Sequence, residues 1–284
     1  MLKFKRLFPN KCSIIGMIHA GALPGTPLYG GSIESIVDNA CIETEILIKH
    51  QVDGIIVENM HDVPYVQSKH FGPEIVATIT KVCERVRTIV PTSIPCGIQI
   101  LAGGNREAVA VAKVTNFNFI RSEGFVFSHI ADEGIMDADA GLLLRYRKAI
   151  DAENVLIFTD IKKKHSSHTI TSDVSLVETA HAAEFFCSDG VILTGTATGK
   201  PANIKELQDL KHNCNLPVIV GSGVTCDNVT EYFMADALII GSHFKNNGNW
   251  MECVSPERVK KFMQIVKAAR GWCNFSYGDF SFSG

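Results

Sequence analysis

Short apolar runs rich in β-branched residues recur at 13–18, 54–57, 97–101, 117–120, 155–158, 190–193, 218–220 and 238–240, with no polar alternation inside them. That pattern predicts strands buried on both faces, as in a parallel sheet. Between the runs the apolar spacing lengthens to three and four residues. Ser32 is placed to cap a helix whose apolar face is Ile33, Ile36, Val37, Ala40 and Leu47. Pro73 suits the first turn of a helix carrying Ile75, Val76, Ile79, Val82, Cys83 and Val86. Asn105 and Ser172 are further cap candidates. Ser255-Pro256-Glu257 opens a last helix bearing Val259, Phe262, Met263 and Val266. The segment from Thr225 to about Met234 reads as the helix between the last two strands.

Eight strands alternating with helices, and no linker or low-complexity stretch, predict one α/β domain, a (β/α)8 TIM barrel over 13–270. A basic strap precedes it at 1–12 and a tail follows at 271–284. A doubly wound open sheet is the runner-up, and it lacks the G-x-G-x-x-G turn expected after a first strand. Three strands begin alike, with Asp53-Gly54, Asp189-Gly190 and Asp236-Ala237. This predicts one turn chemistry used three times, the small residue closing a tight entry to the strand.

In a barrel, function sits in the loops after the strands. The first, 20–31, is long and Gly/Pro-rich, which predicts a lid or partly buried flap. The fourth, 122–139, carries Phe125, Phe127, His129 and Ile130, and predicts a small hairpin, a hydrophobic flap or a subunit interface in a homo-oligomer. The last two strands each run into Gly-Ser, at Gly221-Ser222-Gly223 and Gly241-Ser242. Glycine turns let backbone N–H groups approach an anion, and a helix start beside them would add its dipole.

The polar residues just after the apolar runs form a ring: His19, Glu58, Asn59, Gln99, Arg121, Glu123, Asp160, Lys162, Lys163, Lys164, His165, Thr194, Thr196, Ser222 and Ser242. Glu58 and Asp160 stand across the barrel from each other, as acid and base or as oxygen ligands to one Mg²⁺; alternatively they orient Arg121 and the lysines. Lys162 lies two residues beyond Asp160 and so shares its face in an extended strand, positioned for a second phosphate or a Schiff base. The flanking Lys163 and Lys164 suggest a solvated basic loop instead. His19 shares the face of Met17 and is a base, a ligand or a loop anchor. His165 and His168 have H-x-x-H spacing without a third metal ligand beside them. Gly195 to Pro201 imitates a Walker loop but has three residues between its glycines and Pro where Ser or Thr belongs.

Composition narrows the partners. The chain has 284 residues, 46% apolar and 20% charged, with a formal charge of −3. That balance argues against nucleic-acid or membrane-surface binding through bulk charge. No apolar run is long enough to span a bilayer. Nine scattered cysteines without C-x-x-C point to a reducing, cytoplasmic setting, with Cys41, Cys83, Cys96 and Cys187 read as small core residues. The basic N-terminus, with Lys3, Lys5, Arg6 and Lys11, is either a strap or the stub of a signal for the mitochondrial matrix.

The stretches GMIHAGALPGTPLYGG (16–31), DGIIVEN (53–59), DIKKKHS (160–166), SDGVILTGTATGKP (188–201), GSGVT (221–225) and ADALIIGSHFK (235–245) closely resemble the BtpA family. That family is named for a cyanobacterial factor needed for photosystem I accumulation. The resemblance implies a ribulose-phosphate-binding barrel with phosphate contacts at Gly221, Ser222, Gly223, Gly241 and Ser242, and brings no established reaction. Two functions are expected from the whole reading. One is an enzyme acting on a sugar phosphate or nucleotide, with Glu58, Asp160, His19 and Lys162 carrying the chemistry and Asn59, Gln99, Arg121, Glu123, Thr194 and Thr196 contacting ligand. The other is a non-catalytic assembly factor for a larger complex.

Overall fold

A computed structural model describes residues 1–275, with side chains through Gly271. The expected strands close into a barrel. In chain order they are β1 (Ser13–His19), β2 (Gly54–Glu58), β3 (Cys96–Gln99), β4 (Phe119–Ser122), β7 (Leu156–Ile161), β9 (Gly190–Leu193), β10 (Val218–Val220) and β11 (Ala237–Ile240). All neighbours are parallel, and β1 closes the ring by pairing with both β2 and β11. A separate antiparallel sheet comprises β5 (His129–Ala131), β6 (Gly134–Met136) and the short β8 (Ser166–Ser167). The helices are α1 (Leu2–Leu7), α2 (Ile33–Lys49), α3 (Pro73–Ile89), α4 (Asn105–Thr115), α5 (Ala140–Ala149), α6 (Leu176–Phe185), α7 (Ile204–Asn213) and α8 (Pro256–Phe275). The tail expected at 271–284 starts inside α8, and 276–284 lie outside the described residues.

Strand alternation divides the core in two. Ile15, Met17, Ile56, Phe119, Leu156, Phe158, Ile192, Ile219, Ala237 and Ile239 fill the barrel interior. Ile14, Ile18, Ile55, Val57, Val191, Val218, Val220 and Leu238 face outward onto the helices. The interior cluster also takes in Phe4 and Phe8, so the N-terminal segment contributes side chains to the core and is more than a surface strap. Phe8 packs edge-on against Phe119, and Phe4 against Phe158. Burying two such rings contributes about 2–3 kcal/mol each.

The repeated Asp-small signature lies at this end of the barrel. Asp53, Asp189 and Asp236 accept hydrogen bonds from the N–H groups of Ile14, Ile157 and Val218, at 2.7, 3.0 and 2.9 Å, each on a neighbouring strand. Each aspartate is also paired with a cation: Arg270, Arg147 and Lys211 respectively. The small residue that follows makes room for the aromatic layer. A Cβ on Gly54 would lie 2.8 Å from Phe8, and one on Gly190 would lie 2.9 Å from Phe158.

Several local expectations are corrected. Ser32 caps α2 and Pro73 opens α3 as anticipated. Asn105 is the first residue inside α4, its side chain turned to Glu123 and Asp139, and α6 is capped by Ser175 in a capping box with Glu178 rather than by Ser172. No α-helix forms from Thr225 to Met234; only a 3-10 turn, Val229–Tyr232, is present. Cys83 and Cys96 are buried, Cys41 is half-buried, and Cys187 is exposed because α6 ends before it.

Candidate functional site

Continuing the inward alternation of each strand by one step names the residue it presents at the barrel's C-terminal mouth. These are His19, Glu58, Gln99, Arg121, Asp160, Thr194, Gly221 and Gly241. Most of this layer lines two connected cavities. The first, about 740 Å³ including its open mouth, is bounded by both Gly-Ser turns, His19, Glu58 and Arg258. The second, about 850 Å³, is bounded by Gln99, Glu123, Asp160, Lys163 and an apolar wall of Val63, Tyr65, Leu101 and Trp250. Glu58, Met60, Arg121, Lys164 and Thr198 border both.

At the turn end, Gly221, Ser222, Gly223, Gly241 and Ser242 all face one space. Among the described residues, the N–H groups of Ser222, Gly223, Val224, Ser242 and His243 reach no protein acceptor. Glycine keeps this space open: a Cβ on Gly221 would meet the Ile192 side chain at 2.8 Å, and one on Gly241 would stand in tight contact, 3.3 Å from His19 Nε2. The Ser222 hydroxyl is already engaged, accepting from Gly195 N–H (2.6 Å) and donating to the Lys200 carbonyl (3.0 Å). It therefore offers its backbone rather than its side chain. With no helix after Thr225, the donors come from the turns without a helix dipole. Arg258, from the first turn of α8, adds a guanidinium on this side, oriented by bonds to His243.

His19 and Glu58 stand together, with Nε2 and Oε2 3.7 Å apart. Nδ1 lies 3.1 Å from the Trp250 carbonyl, which can only accept, so Nδ1 carries the proton and the Nε2 lone pair faces Glu58. Burial, reinforced by the Lys245 charge, holds the His19 pKa well below its ordinary value, so the ring is neutral. Burial raises the Glu58 carboxyl, outweighing the opposing pull of Arg121 and Lys164. The pair thus presents a proton acceptor beside a carboxyl that holds its proton longer than usual.

Asp160 does not face Glu58 as a free carboxylate. Arg121 grips it through Nε, at 3.2 and 3.1 Å to the two oxygens, and through Nη2 at 3.0 Å. Asp160 thus orients Arg121, and with both its oxygens engaged the pair with Glu58 does not make a ligand set for Mg²⁺. Burial disfavours the Arg121 charge, but Asp160 and Glu58 outweigh it and its pKa ends raised. Lys163, expected in solvent, is buried and donates to Glu123 at 3.0 Å. Burial opposes the Glu123 charge too, yet Lys163 prevails and the carboxyl sits below its usual range. Glu123 in turn accepts from Gln99 Nε2 at 3.4 Å, which leaves the buried Gln99 Oε1 without a partner.

Lys162 is turned away from this site. Its φ of +48° breaks the strand alternation, and Nζ bonds the carbonyls of Val174 and Thr171. Lys164 takes the position bordering both cavities, a residue read from sequence only as part of a solvated run. Thr194 accepts from Lys164 N–H at 3.1 Å, and Thr194 and Thr196 line a separate crevice with Lys162. Asn59 is fully buried and clamps Leu101, accepting from its N–H (2.6 Å) and donating to its carbonyl (3.0 Å), so it reaches neither cavity. His165 Nε2 bonds Thr198 while His168 Nε2 bonds the Lys163 carbonyl, so the H-x-x-H pair has two different structural partners.

The surrounding loops are fixed. Asp62 accepts from Leu23 N–H and the Thr26 hydroxyl, pinning the first loop, which lines neither cavity. In the fourth loop Phe125 is buried in the outer core and Phe127 is exposed. The hairpin expected there forms at β5–β6 and brings Asp132 and Glu133 to the second cavity.

The BtpA family model matches residues 10–268, nearly the whole of the chain. The chain belongs to the BtpA family. Among BtpA-like relatives, an uncharacterised mitochondrial protein of Caenorhabditis elegans is 46% identical over 94% of this chain and 97% of its own length. The photosystem I biogenesis protein BtpA of Synechocystis is 32% identical over 91% of this chain and 89% of its own. The fold of this BtpA-family chain is a TIM barrel, shared with solved structures of low sequence identity. Tryptophan synthase alpha chain from Legionella pneumophila superposes with a TM-score of 0.59 at 14% identity, covering 94% of this chain and 96% of that one. Orotidine 5'-monophosphate decarboxylase from Methanocaldococcus jannaschii gives 0.53 at 14% identity, covering 90% and 98%. Within the described residues, no helix is long and apolar enough to cross a membrane.

Proposed function

We propose that this BtpA-family chain is an enzyme acting on a phosphorylated small molecule at the barrel mouth. The observation that carries this reading is the set of backbone N–H groups from two turns, without protein acceptors, in one cavity with His19 and Glu58. A phosphate bound there gains donors from both turns and the charge of Arg258. The rest of the ligand then extends past Glu58 and Arg121 toward Gln99 and Trp250. His19 Nε2 serves as proton acceptor, Glu58 as proton donor, and Arg121 stabilises negative charge developing on an oxygen between them. Barrels of this fold whose names carry a phosphorylated substrate, such as orotidine 5'-monophosphate decarboxylase, support the ligand class.

The test is thermal shift against a panel of sugar phosphates and nucleotides. A ligand at 100 times its Kd stabilises the fold by about 2.7 kcal/mol. Arg258→Ala should reduce that shift. A folded protein that no member of the panel stabilises refutes the reading.

The Synechocystis relative's name favours a second reading, an assembly factor. Complementation of a deletion strain by the His19→Ala/Glu58→Ala double variant separates the two: rescue supports assembly, and loss of rescue with folding intact supports chemistry. The mitochondrial relative favours the mitochondrial matrix as the site of action. Imaging of a C-terminally tagged chain tests this, and a diffuse cytoplasmic signal overturns it.

A further inference from the structure

Among the described residues, three of the four lysines and arginines lining the two cavities have a protein partner: Arg121 is taken by Asp160, Lys163 by Glu123, and Arg258 by His243. The exception is Lys164. Among the described residues its ammonium nitrogen has neither a hydrogen bond nor a carboxylate within ion-pair distance, although it borders both cavities. Its backbone is fixed, N–H to the Thr194 hydroxyl and carbonyl to the Ser166 hydroxyl, so the position of the side chain is set by the barrel. The charged groups facing it are Arg121 from β4, Glu58 from β2, Asp160 from β7 and Glu123 after β4. Burial, then the Arg121 guanidinium, lowers its pKa. Desolvation and a neighbouring cation ease the loss of the ammonium proton, in the direction a nucleophilic amine needs, although Glu58, Asp160 and Glu123 oppose them.

We propose that Lys164 is a nucleophilic amine that condenses with the carbonyl carbon of an open-chain sugar phosphate to form a Schiff base. This rests on the phosphate-binding reading above and names its substrate class. The Lys164 nitrogen lone pair attacks the carbonyl carbon, forming the C–N bond, and the carbonyl oxygen takes a proton from the Glu58 carboxyl. The nitrogen of the resulting carbinolamine gives a proton to His19 Nε2. The hydroxyl then leaves as water with that proton as the nitrogen lone pair forms C=N. The sum is amine plus carbonyl plus one proton from Glu58, giving a protonated imine and water. Glu58, now a carboxylate, faces the cation it helped to form. The unpartnered Gln99 Oε1 is an acceptor for a substrate hydroxyl, because its amide nitrogen is held by Glu123. A ligand bearing a phosphate, a carbonyl and a hydroxyl matches all three features.

The experiment incubates the whole chain with dihydroxyacetone phosphate, ribulose 5-phosphate or ribose 5-phosphate, then adds sodium borohydride. Intact mass and peptide mapping are read alongside a thermal shift without borohydride. The expected result is a reduced adduct on the Lys164 peptide with at least one sugar, lost in Lys164→Arg, which keeps a long basic side chain but cannot form an imine. Peptide mapping of the unmodified sequence locates the adduct even if that variant folds poorly. A thermal shift without any adduct, or an adduct on another lysine that persists in Lys164→Arg, overturns the Schiff base and leaves phosphate binding standing. Neither shift nor adduct with any of the three overturns the sugar-phosphate assignment, and a wider phosphate panel without response overturns the parent reading as well.

Discussion

The Lys245 ammonium is 1% exposed and lies 2.6 and 2.7 Å from the two oxygens of Glu43, on α2. The same carboxylate accepts Val254 N–H at 3.1 Å. This pair fastens the segment after β11 to α2, and the segment carries Trp250, whose carbonyl fixes the His19 tautomer. Glu43→Gln keeps one acceptor oxygen, removes the charge and turns an amide NH2 donor toward the ammonium. An ammonium then remains buried without its counter-ion, at a cost of about 3–5 kcal/mol. At roughly 2–4 °C per kcal/mol, the melting temperature should fall by at least about 6 °C. Burial raises the Glu43 pKa and lowers that of Lys245 despite each other's presence, so at neutral pH ionising the pair works against folding. It follows that the apolar double variant Glu43→Leu/Lys245→Met should be more stable than either single variant, and should approach wild type less the roughly 1–3 kcal/mol of leaving Val254 N–H without its acceptor. Urea melts of the two singles and the double close the cycle. A Glu43→Gln loss below about 1 kcal/mol, the value of an exposed pair, refutes the reasoning.

Other expectations are quickly checked. Phe8 is fully buried among Phe4, Phe119 and Phe158, so Phe8→Ala should cost about 3–5 kcal/mol in urea melts; an effect under about 1 kcal/mol would show that α1 does not close the barrel. Gly199 and Gly223 both have positive φ, +76° and +70°, but only at Gly223 would a Cβ strike backbone, 2.2 Å from Pro201 N. Gly199→Ala should therefore cost about 1–2 kcal/mol and Gly223→Ala clearly more, with loss of phosphate binding by calorimetry; equal costs would contradict the clash. Burial, with Lys163 and His168 adding to it, pushes the His129 pKa down to about 4, so the folded chain binds fewer protons than the unfolded one as pH falls through 6.5. Stability from this group is lost between pH 6.5 and 4, on the order of 3 kcal/mol. Asp139, raised by burial to about 6, has the opposite sign and loses stability as pH rises through the overlapping window. Melting temperature against pH for wild type and His129→Gln isolates the histidine: the variant should show the shallower acid slope, and parallel curves would rule the effect out.

Much of the barrel was legible because one alternation governs core and mouth together. Counting in twos from Met17, Ile56, Phe119 and Phe158 reaches His19, Glu58, Arg121 and Asp160, all inward-facing. The segment after β10 was misread because local side-chain bonding competes with a helix there. Thr225 accepts Asp227 N–H through its hydroxyl, and Asn228 accepts Thr225 N–H while donating to the Gly223 carbonyl. These contacts stabilise a turn, and the β-branched Val229 and Thr230 add little helical preference against them.

The lysine run shows where alternation stops being a guide. Two-residue counting from Asp160 selects Lys162, but it holds only while the backbone stays extended. At Lys162 the chain enters the left-handed region, so the next residues change faces: Lys163 turns in to Glu123 and Lys164 to the cavities. Nothing in three consecutive lysines marks which one makes that turn. What separates them is partner supply, and that is a tertiary property. Lys162 has two carbonyls and Lys163 has a carboxylate, while Lys164 is left with Arg121 for a neighbour. The same logic separates the two carboxylates that sequence treated as equivalent. Asp160 is consumed by a bidentate guanidinium, whereas Glu58 has only a neutral imidazole 3.7 Å away. Partners that stabilise a charged group also hold it in one protonation state. In the cavity at the two Gly-Ser turns, the groups left free to exchange protons or form bonds are therefore those without such partners: His19, Glu58 and Lys164.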